Sequence, residues 1–184
     1  INDEYNIYQK YSYNSIVNST ISENIITIGA GATTTSELFN TNFSTGKAQY
    51  LISASELQNQ GLVAGDVSRL SIDIQNIGEV LNNVTIKMKM SSSTSLSDST
   101  YEVDNFTTVY NNSSSQQPQG NTIFNFYQPF YWNGTNNVIV DISFNAPFSN
   151  NPYSTFSDDM GNNIGLIQSQ NGHLDFKDDE IVDV

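Results

Sequence analysis

Hydrophobic and polar residues alternate with a period of two along much of the chain after residue 66. In one such run, Ile86 and Met88 alternate with Thr85 and Lys87. Successive side chains of a strand point to opposite faces, so this pattern is typical of half-buried antiparallel strands. The pattern is clearest in residues 70–75, 84–90, 124–127 and 138–144.

One short helix is predicted between the strands. Ser53 and Glu56 have the capping-box spacing, in which the hydroxyl and the carboxylate each bond a free amide of the first helical turn. We therefore predict one helical turn near residues 54–60, ending near Gly61.

Turns and loops separate the predicted strands. Residues 82–83 (Asn-Asn) and 133–134 (Asn-Gly) are turn signals, and the polar stretches 91–99 and 111–119 are predicted loops. Many short strands without a long amphipathic helix predict an all-β fold. We expect an antiparallel β-sandwich of jelly-roll-like topology.

The first 24 residues differ from the rest because they are polar and rich in tyrosine. Tyr11 and Tyr13 have the spacing of one face of a strand. We expect residues 1–24 to form an N-terminal arm or an edge strand, and residues 25–184 to form a single sandwich domain. An arm of this kind could add a strand to a neighbouring copy, or it could pair within its own domain.

Charge and composition exclude several classes of partner. The 184-residue chain has a net charge of −13, with 19 acidic and 6 basic residues, so nucleic acid and anionic lipid surfaces are disfavoured. The chain has no cysteine, which excludes disulfides and thiolate metal sites. No apolar run approaches the roughly 20 residues of a transmembrane helix.

Two acidic stretches near the C-terminal end, residues 157–163 and 175–180, gather carboxylate and amide oxygens. Ca²⁺ binds oxygens of this kind, although the spacing is not that of an EF-hand loop. A structural Ca²⁺ site and a solvated acidic loop or tail are both consistent with the pattern. The candidate ligands are Asp158, Asp159, Asp175, Asp178 and Asp179.

Aromatic residues near strand ends are candidates for carbohydrate binding. Tyr131 and Trp132 precede the predicted turn at 133–134, and Tyr127 lies on the same predicted strand. Aromatic rings of this kind can stack on sugar faces, whereas an aromatic residue beside a buried strand usually packs in the core. Both interpretations remain open for Trp132.

Catalysis is not expected. Asp73 and Asp141 lie on the polar faces of predicted strands, where two carboxylates could face one cleft as in a glycoside hydrolase. Carboxylates on the polar face of a strand more commonly face solvent without a catalytic role. His173 is the single histidine, so a multi-histidine metal site is excluded.

The segment "TIGAGATTTSELFNTNFSTGKAQYLISASEL" resembles the opening of a module found in large secreted and surface proteins of the Bacteroidota. The later segments "AGDVSRLSIDI", "LNNVTIKMKMSSSTSLS", "FTTVYNN" and "FNFYQPFYWNGTNNVIVDISF" are similar to that module in the same order. The resemblance covers residues 25–145. It implies a non-catalytic β-sandwich in extracellular multidomain proteins that are often exported by the type IX route.

The resemblance implies location and architecture, and together with the residues it leaves two functional hypotheses. The first is a structural or adhesive module of a cell-surface adhesin, stalk or filament, whose partners are other copies of itself or other cell-surface proteins. The second is a carbohydrate-binding module that accompanies a secreted enzyme. The triplet 98–100 (Asp-Ser-Thr) also resembles a Bacteroidota O-glycosylation signal, which makes Ser99 a candidate glycosylation site.

Overall fold

The computed structural model describes residues 24–29, 33–96, 100–157 and 165–170. This part of the chain contains strands and one short helix. In chain order they are β1 (Thr33–Thr35), β2 (Thr45–Ile52), α1 (Ala54–Asn59), β3 (Gly65–Asn76), β4 (Leu81–Ser91), β5 (Thr107–Ser115), β6 (Gly120–Trp132), β7 (Asn137–Asn145), β8 (Ser154–Ser157) and β9 (Gly165–Gln170).

The strands form two antiparallel sheets. The four-stranded sheet has the order β1-β8-β3-β6, and the five-stranded sheet has the order β5-β4-β7-β2-β9. The first eight strands therefore follow the jelly-roll order, and β9 extends the second sheet beyond β2. The predicted all-β, jelly-roll-like sandwich is confirmed.

The hydrophobic core lies between the two sheets. Alternate residues of β7, including Val140 and Ile142, face the core together with alternate residues of the neighbouring strands. Phe39 lies among them and packs edge-to-face against Phe144 at 5.7 Å and Tyr153 at 5.8 Å between ring centroids. The period-two pattern thus places one face of each central strand in a shared core.

The helix α1 forms where the capping spacing predicts it. The Ser53 hydroxyl accepts a hydrogen bond from the Glu56 amide at 3.1 Å, and the Asn137 side-chain oxygen accepts one from the Ala54 amide at 2.8 Å. Gly61 follows the helix at φ +91°, a conformation that favours glycine. No helix in the described part of the chain is long and apolar enough to span a membrane.

Two predictions of turns and loops are wrong. Asn83 lies inside β4 at φ +52°, where the register with β7 shifts, so the asparagine pair forms a bulge rather than a turn. Residues 111–115 continue β5 rather than forming a loop. Their pairing with β4 uses main-chain amides and carbonyls, which these residues have whatever their side chains, so the polar composition does not prevent strand formation.

Candidate functional site

The outer face of the four-stranded sheet is a largely exposed surface built on paired strands. It is formed by side chains of β3 and β6 that point away from the core. The cross-strand pairs on this face are Asp66–Tyr131, Arg69–Asn125, Ser71–Ile123 and Asp73–Asn121. We refer to these eight residues as the β3–β6 face.

A large bulge in β6 sets the shape of the β3–β6 face. Between the Val67–Phe130 pair and the Arg69–Asn125 pair, residues 126–129 of β6 lie opposite the single residue Ser68. The Gln128 amide in this bulge donates a hydrogen bond to the Thr108 carbonyl of β5 at 2.6 Å. The bulge therefore fastens one sheet to the edge of the other and interrupts the ladder.

The structure separates the three aromatic residues that were candidates for sugar stacking. Tyr127 lies in the bulge and is 64% exposed, and Tyr131 on the β3–β6 face is 59% exposed. Trp132 is fully buried in the core, and its indole Nε1 donates a hydrogen bond to the Asn136 carbonyl at 2.7 Å. The prediction that Trp132 stacks on a sugar is wrong, because no face of its ring is accessible.

A tight turn follows Tyr131 and Trp132 at the end of β6. The Asn133 side-chain oxygen accepts hydrogen bonds from the Thr135 amide at 3.0 Å and the Asn136 amide at 2.9 Å. Gly134 has φ +81°, which favours glycine at this position. The turn predicted from Asn-Gly is confirmed. It holds the Asn136 carbonyl that accepts the hydrogen bond from Trp132.

The β3–β6 face combines an aromatic ring with donors and acceptors. Tyr131 lies directly across from Asp66, where cross-strand side chains are roughly 5 Å apart at Cβ. Arg69 and Asn125 form the next pair beyond the bulge, and Ile123, 49% exposed, follows them. Such a surface can contact a sugar ring or the surface of another protein.

The two carboxylates considered for glycoside hydrolysis do not face one cleft. Asp73 is exposed on the β3–β6 face. Asp141 lies on the outward side of β7, in the other sheet, and is 2% exposed. Because the hydrophobic core separates the two sides, these carboxylates cannot act on one glycosidic bond.

The outward side of the five-stranded sheet is covered by residues 100–106, which we call the strap. Gln49 of β2, fully buried beneath it, accepts a hydrogen bond from the Glu102 amide at 2.9 Å and donates one to the Glu102 carbonyl at 2.6 Å. The second amide hydrogen of Gln49 bonds the Asp141 Oδ2 atom at 2.6 Å. The Gln49 side chain thus pairs with the strap as a peptide group of a neighbouring strand would.

Lysines of β2 and β4 complete this buried polar cluster. The Lys47 Nζ atom lies 3.6 Å from Asp141 Oδ2 and 4.8 Å from the centre of the Tyr101 ring. The Lys89 Nζ atom lies 2.7 Å from Glu102 Oε2 and 5.0 Å from the centre of the Phe106 ring. Charge pairing and ring contacts therefore hold both ends of the strap against the sheet.

Sequence reasoning missed this cluster, although one signal pointed to it. Ile139 lies on the nominally polar face of β7, so residues 138–140 are a continuous apolar run. Continuous runs indicate strands that are buried on both faces. Ile139 is fully buried and packs with Leu51, Leu96 and Phe106 beneath the loop between β4 and β5.

Burial dominates the electrostatics of Asp141. Its Oδ1 atom is buried without a hydrogen-bond partner among the described residues. Burial raises the pKa of Asp141 above its usual value, and Lys47, Gln49 and Lys87 oppose this effect. The protonated carboxyl is therefore favoured by folding.

We expect Asp141→Asn to flatten the pH dependence of stability. A raised pKa in the folded state contributes stability that is full below the usual aspartate pKa and is lost as pH rises through the raised value. The wild type should therefore lose stability relative to Asp141→Asn as the pH rises above about 4, the usual pKa of aspartate. Urea denaturation at several pH values measures this difference. The matched control is Asp73→Asn at an exposed site, and parallel curves for the wild type and Asp141→Asn would contradict the expectation.

The predicted calcium ligands Asp158, Asp159, Asp175, Asp178 and Asp179 lie outside the described residues, as does the candidate glycosylation site Ser99. Within the described ranges, no group of three or more acidic or histidine side chains is placed to hold a metal ion. Calcium binding and glycosylation therefore stay predictions.

The chain matches no family model, and no curated protein or solved structure is significantly similar to it.

Proposed function

We propose that this chain is a non-catalytic extracellular module with a structural or adhesive role, as part of a cell-surface adhesin, stalk or filament. The observation that carries the proposal is the exposure of Tyr131, Tyr127 and Ile123 on and beside the β3–β6 face. Aromatic and aliphatic side chains exposed among polar groups on one sheet face can contact a partner, with polar groups bonding at the rim. The extracellular location is supported by the resemblance to secreted Bacteroidota modules.

The β3–β6 face is suited to contact because its side chains are held on paired strands. Tyr131 exposes a large ring with few rotatable bonds, so little conformational entropy is lost when a partner covers it. The neighbouring Asp66 and Asn125 are exposed and offer acceptors and a donor at the rim. The expected partners are other cell-surface proteins, other copies of the chain, or a polysaccharide.

The separation of Asp73 from Asp141 supports a non-catalytic role. Glycoside hydrolysis needs two carboxyl groups about 5–10 Å apart on one sugar site. The carboxylates of the pair considered from the sequence lie on opposite sides of the sandwich. Asp141 is moreover hydrogen-bonded beneath the strap, where no substrate can reach it.

Carbohydrate binding is the second candidate, and the placement of Tyr131 favours it. The apolar face of a sugar ring can pack on an exposed aromatic ring, while its hydroxyls bond nearby carboxylates, amides and guanidinium groups. Asp66 lies across from Tyr131, and the pair Arg69–Asn125 lies along the same face. Tyr127, in the bulge of the same strand, is a second exposed ring.

We expect Tyr131→Ala to weaken contact with the partner by about tenfold, because a truncated aromatic anchor typically costs more than 1 kcal/mol. Affinity electrophoresis in soluble polysaccharides and retention on insoluble polysaccharides and on bacterial cells measure the effect. The matched control is Phe148→Ala, which removes an aromatic ring of 64% exposure away from this face.

The outcomes separate the two candidates. Retention on purified polysaccharide that Tyr131→Ala abolishes supports a carbohydrate-binding module. Retention on cells but not on polysaccharide, with the same sensitivity, supports a protein adhesin. Binding that is unchanged by Tyr131→Ala and by Tyr127→Ala would exclude the β3–β6 face as the contact surface.

A further inference from the structure

Lys47 and Asp141 form a buried pair of oppositely charged side chains on neighbouring strands. In the register of β2 with β7, Lys47 lies opposite Ser143. Asp141 lies two residues before Ser143 on the same face, so it is a diagonal neighbour of Lys47, and a long side chain can reach such a neighbour. The Lys47 Nζ atom lies 3.6 Å from Asp141 Oδ2, and the two side chains are only 11% and 3% exposed. The two reactive groups are therefore close together and largely withdrawn from water.

The two oxygens of the Asp141 carboxyl group have different surroundings. Oδ2 accepts a hydrogen bond from the Gln49 side-chain amide at 2.6 Å and faces Lys47. Oδ1 is buried and has no hydrogen-bond partner among the described residues. A buried polar atom without a partner is costly, and a buried ion pair is often no more stable than neutral groups in its place. An ion pair alone therefore leaves this carboxyl group incompletely stabilised.

We propose that Lys47 and Asp141 condense to an amide bond that joins β2 to β7 covalently. A proton first passes from the Lys47 ammonium group to the Asp141 carboxylate, which gives an amine and a carboxylic acid. The amine nitrogen then forms a bond to Cγ of Asp141, and the bond from Cγ to Oδ1 breaks. Oδ1 leaves as water, with the acid proton and one proton from the amine. No group is oxidised or reduced, and no other reactant is needed.

The surroundings of the pair favour this reaction. Burial raises the pKa of Asp141, and the neutral carboxylic acid is the form that reacts with an amine. Reacting atoms are about 3–3.5 Å apart in a productive arrangement, and Nζ already lies 3.6 Å from an oxygen that is bonded to Cγ. The centre of the Tyr101 ring lies 4.8 Å from Nζ, so the strap that carries this ring helps to exclude the water that would reverse the reaction.

The product removes both unfavourable features of the pair. Oδ2 becomes the amide oxygen and keeps its hydrogen bond from Gln49, while the unpaired Oδ1 atom is lost. A neutral amide replaces two buried charges. The bond also closes a loop from residue 47 to residue 141, and a cross-link over a long loop restricts the unfolded chain. Such a bond suits the structural role proposed above, but the inference does not depend on that role.

The bond is expected to accumulate with time in the folded chain, because a carboxylic acid without an activated leaving group reacts slowly. The newly folded chain holds Asp141 as a free carboxyl group, and the pH dependence of stability predicted above applies to that form. This pH dependence should fade as the bond forms, since an amide does not titrate.

The mass of the intact, denatured chain tests the inference directly. We expect the wild type, after incubation in its folded state, to be lighter than its sequence mass by one water molecule. Lys47→Arg should keep its full mass, because the guanidinium group preserves the charge but stays protonated and does not attack a carboxyl group. The matched control is Lys87→Arg, at the β4 residue directly opposite Asp141, which should lose one water molecule as the wild type does.

Peptide mapping of the wild type locates the bond without relying on any variant. A digest should contain one branched peptide, in which the fragment with Lys47 is joined to the fragment with Asp141. A cyclic imide formed at an aspartate would also lose one water molecule, but it would leave these two fragments separate.

Three results would overturn the inference. The wild type keeps its full mass after incubation, which means an ion pair only. The lost water belongs to an unbranched peptide. Lys47→Arg, folded by circular dichroism, loses water as readily as the wild type. None of these results affects the Tyr131→Ala experiment, since that experiment measures contact with a ligand on the opposite sheet.

Discussion

Trp132→Ala is expected to lower the free energy of unfolding by about 3–5 kcal/mol, the range for truncating a buried aromatic residue. Trp132 is fully buried in the main core, so its removal leaves a cavity that the paired strands cannot close. The hydrogen bond from its Nε1 atom to the Asn136 carbonyl is also lost. Because Trp132 is the single tryptophan, urea denaturation should be followed by circular dichroism rather than fluorescence.

The neighbouring residue provides the control for Trp132. Tyr131 precedes it on the same strand but faces solvent, so Tyr131→Ala should change the free energy of unfolding by only about 0.5 kcal/mol. Trp132→Phe keeps most of the ring in the core and should cost less than Trp132→Ala. Equal losses for Tyr131→Ala and Trp132→Ala would contradict the placement of the two rings on opposite sides of the sheet.

Gln49→Leu is expected to lower the free energy of unfolding by about 2–4 kcal/mol and to loosen the strap. The substitution replaces the polar side chain with an apolar one of similar size. It leaves the Glu102 amide and carbonyl and the Asp141 Oδ2 atom without their hydrogen bonds to Gln49. Unpaired buried polar groups typically cost about 1–3 kcal/mol each, and partial access of water to the strap reduces the sum. Urea denaturation measures the global effect.

Hydrogen exchange locates the effect of Gln49→Leu within the molecule. The amide of Glu102 should exchange faster than in the wild type, while amides in the centre of β7 should change less. The matched control is Gln58→Leu, which removes an exposed glutamine whose amide bonds the Gly134 carbonyl at 2.7 Å. If both leucine variants lose the same stability, the buried network does not hold the strap.

Local pattern is sufficient to predict the architecture of this chain. The period of two in segments such as 84–90 requires one buried face per strand, and several such strands can bury that face only by forming a layered sheet structure. The helix α1 was also predictable, because Ser53 and Glu56 act within one turn of chain. These features depend on residues that are close in sequence.

The candidate surfaces depend on pairing between residues that are far apart in sequence. Tyr131 and Trp132 are equivalent as neighbouring aromatics, and only the register of β6 against β3 decides which one is exposed. Asp141 became a buried residue because the strap covers it, and the strap is held by Gln49, which lies 53 residues from Glu102. No local periodicity carries that information.

The sequence by itself therefore determined the strands with clear alternation, the short helix and the class of the fold, because backbone periodicity and helix capping are local. The tertiary structure alone decided which strands are buried on both faces, as β7 is at Ile139, and how polar β5 pairs with β4. Those outcomes follow from strand order and register, in which main-chain hydrogen bonds join distant segments with little regard to side-chain identity.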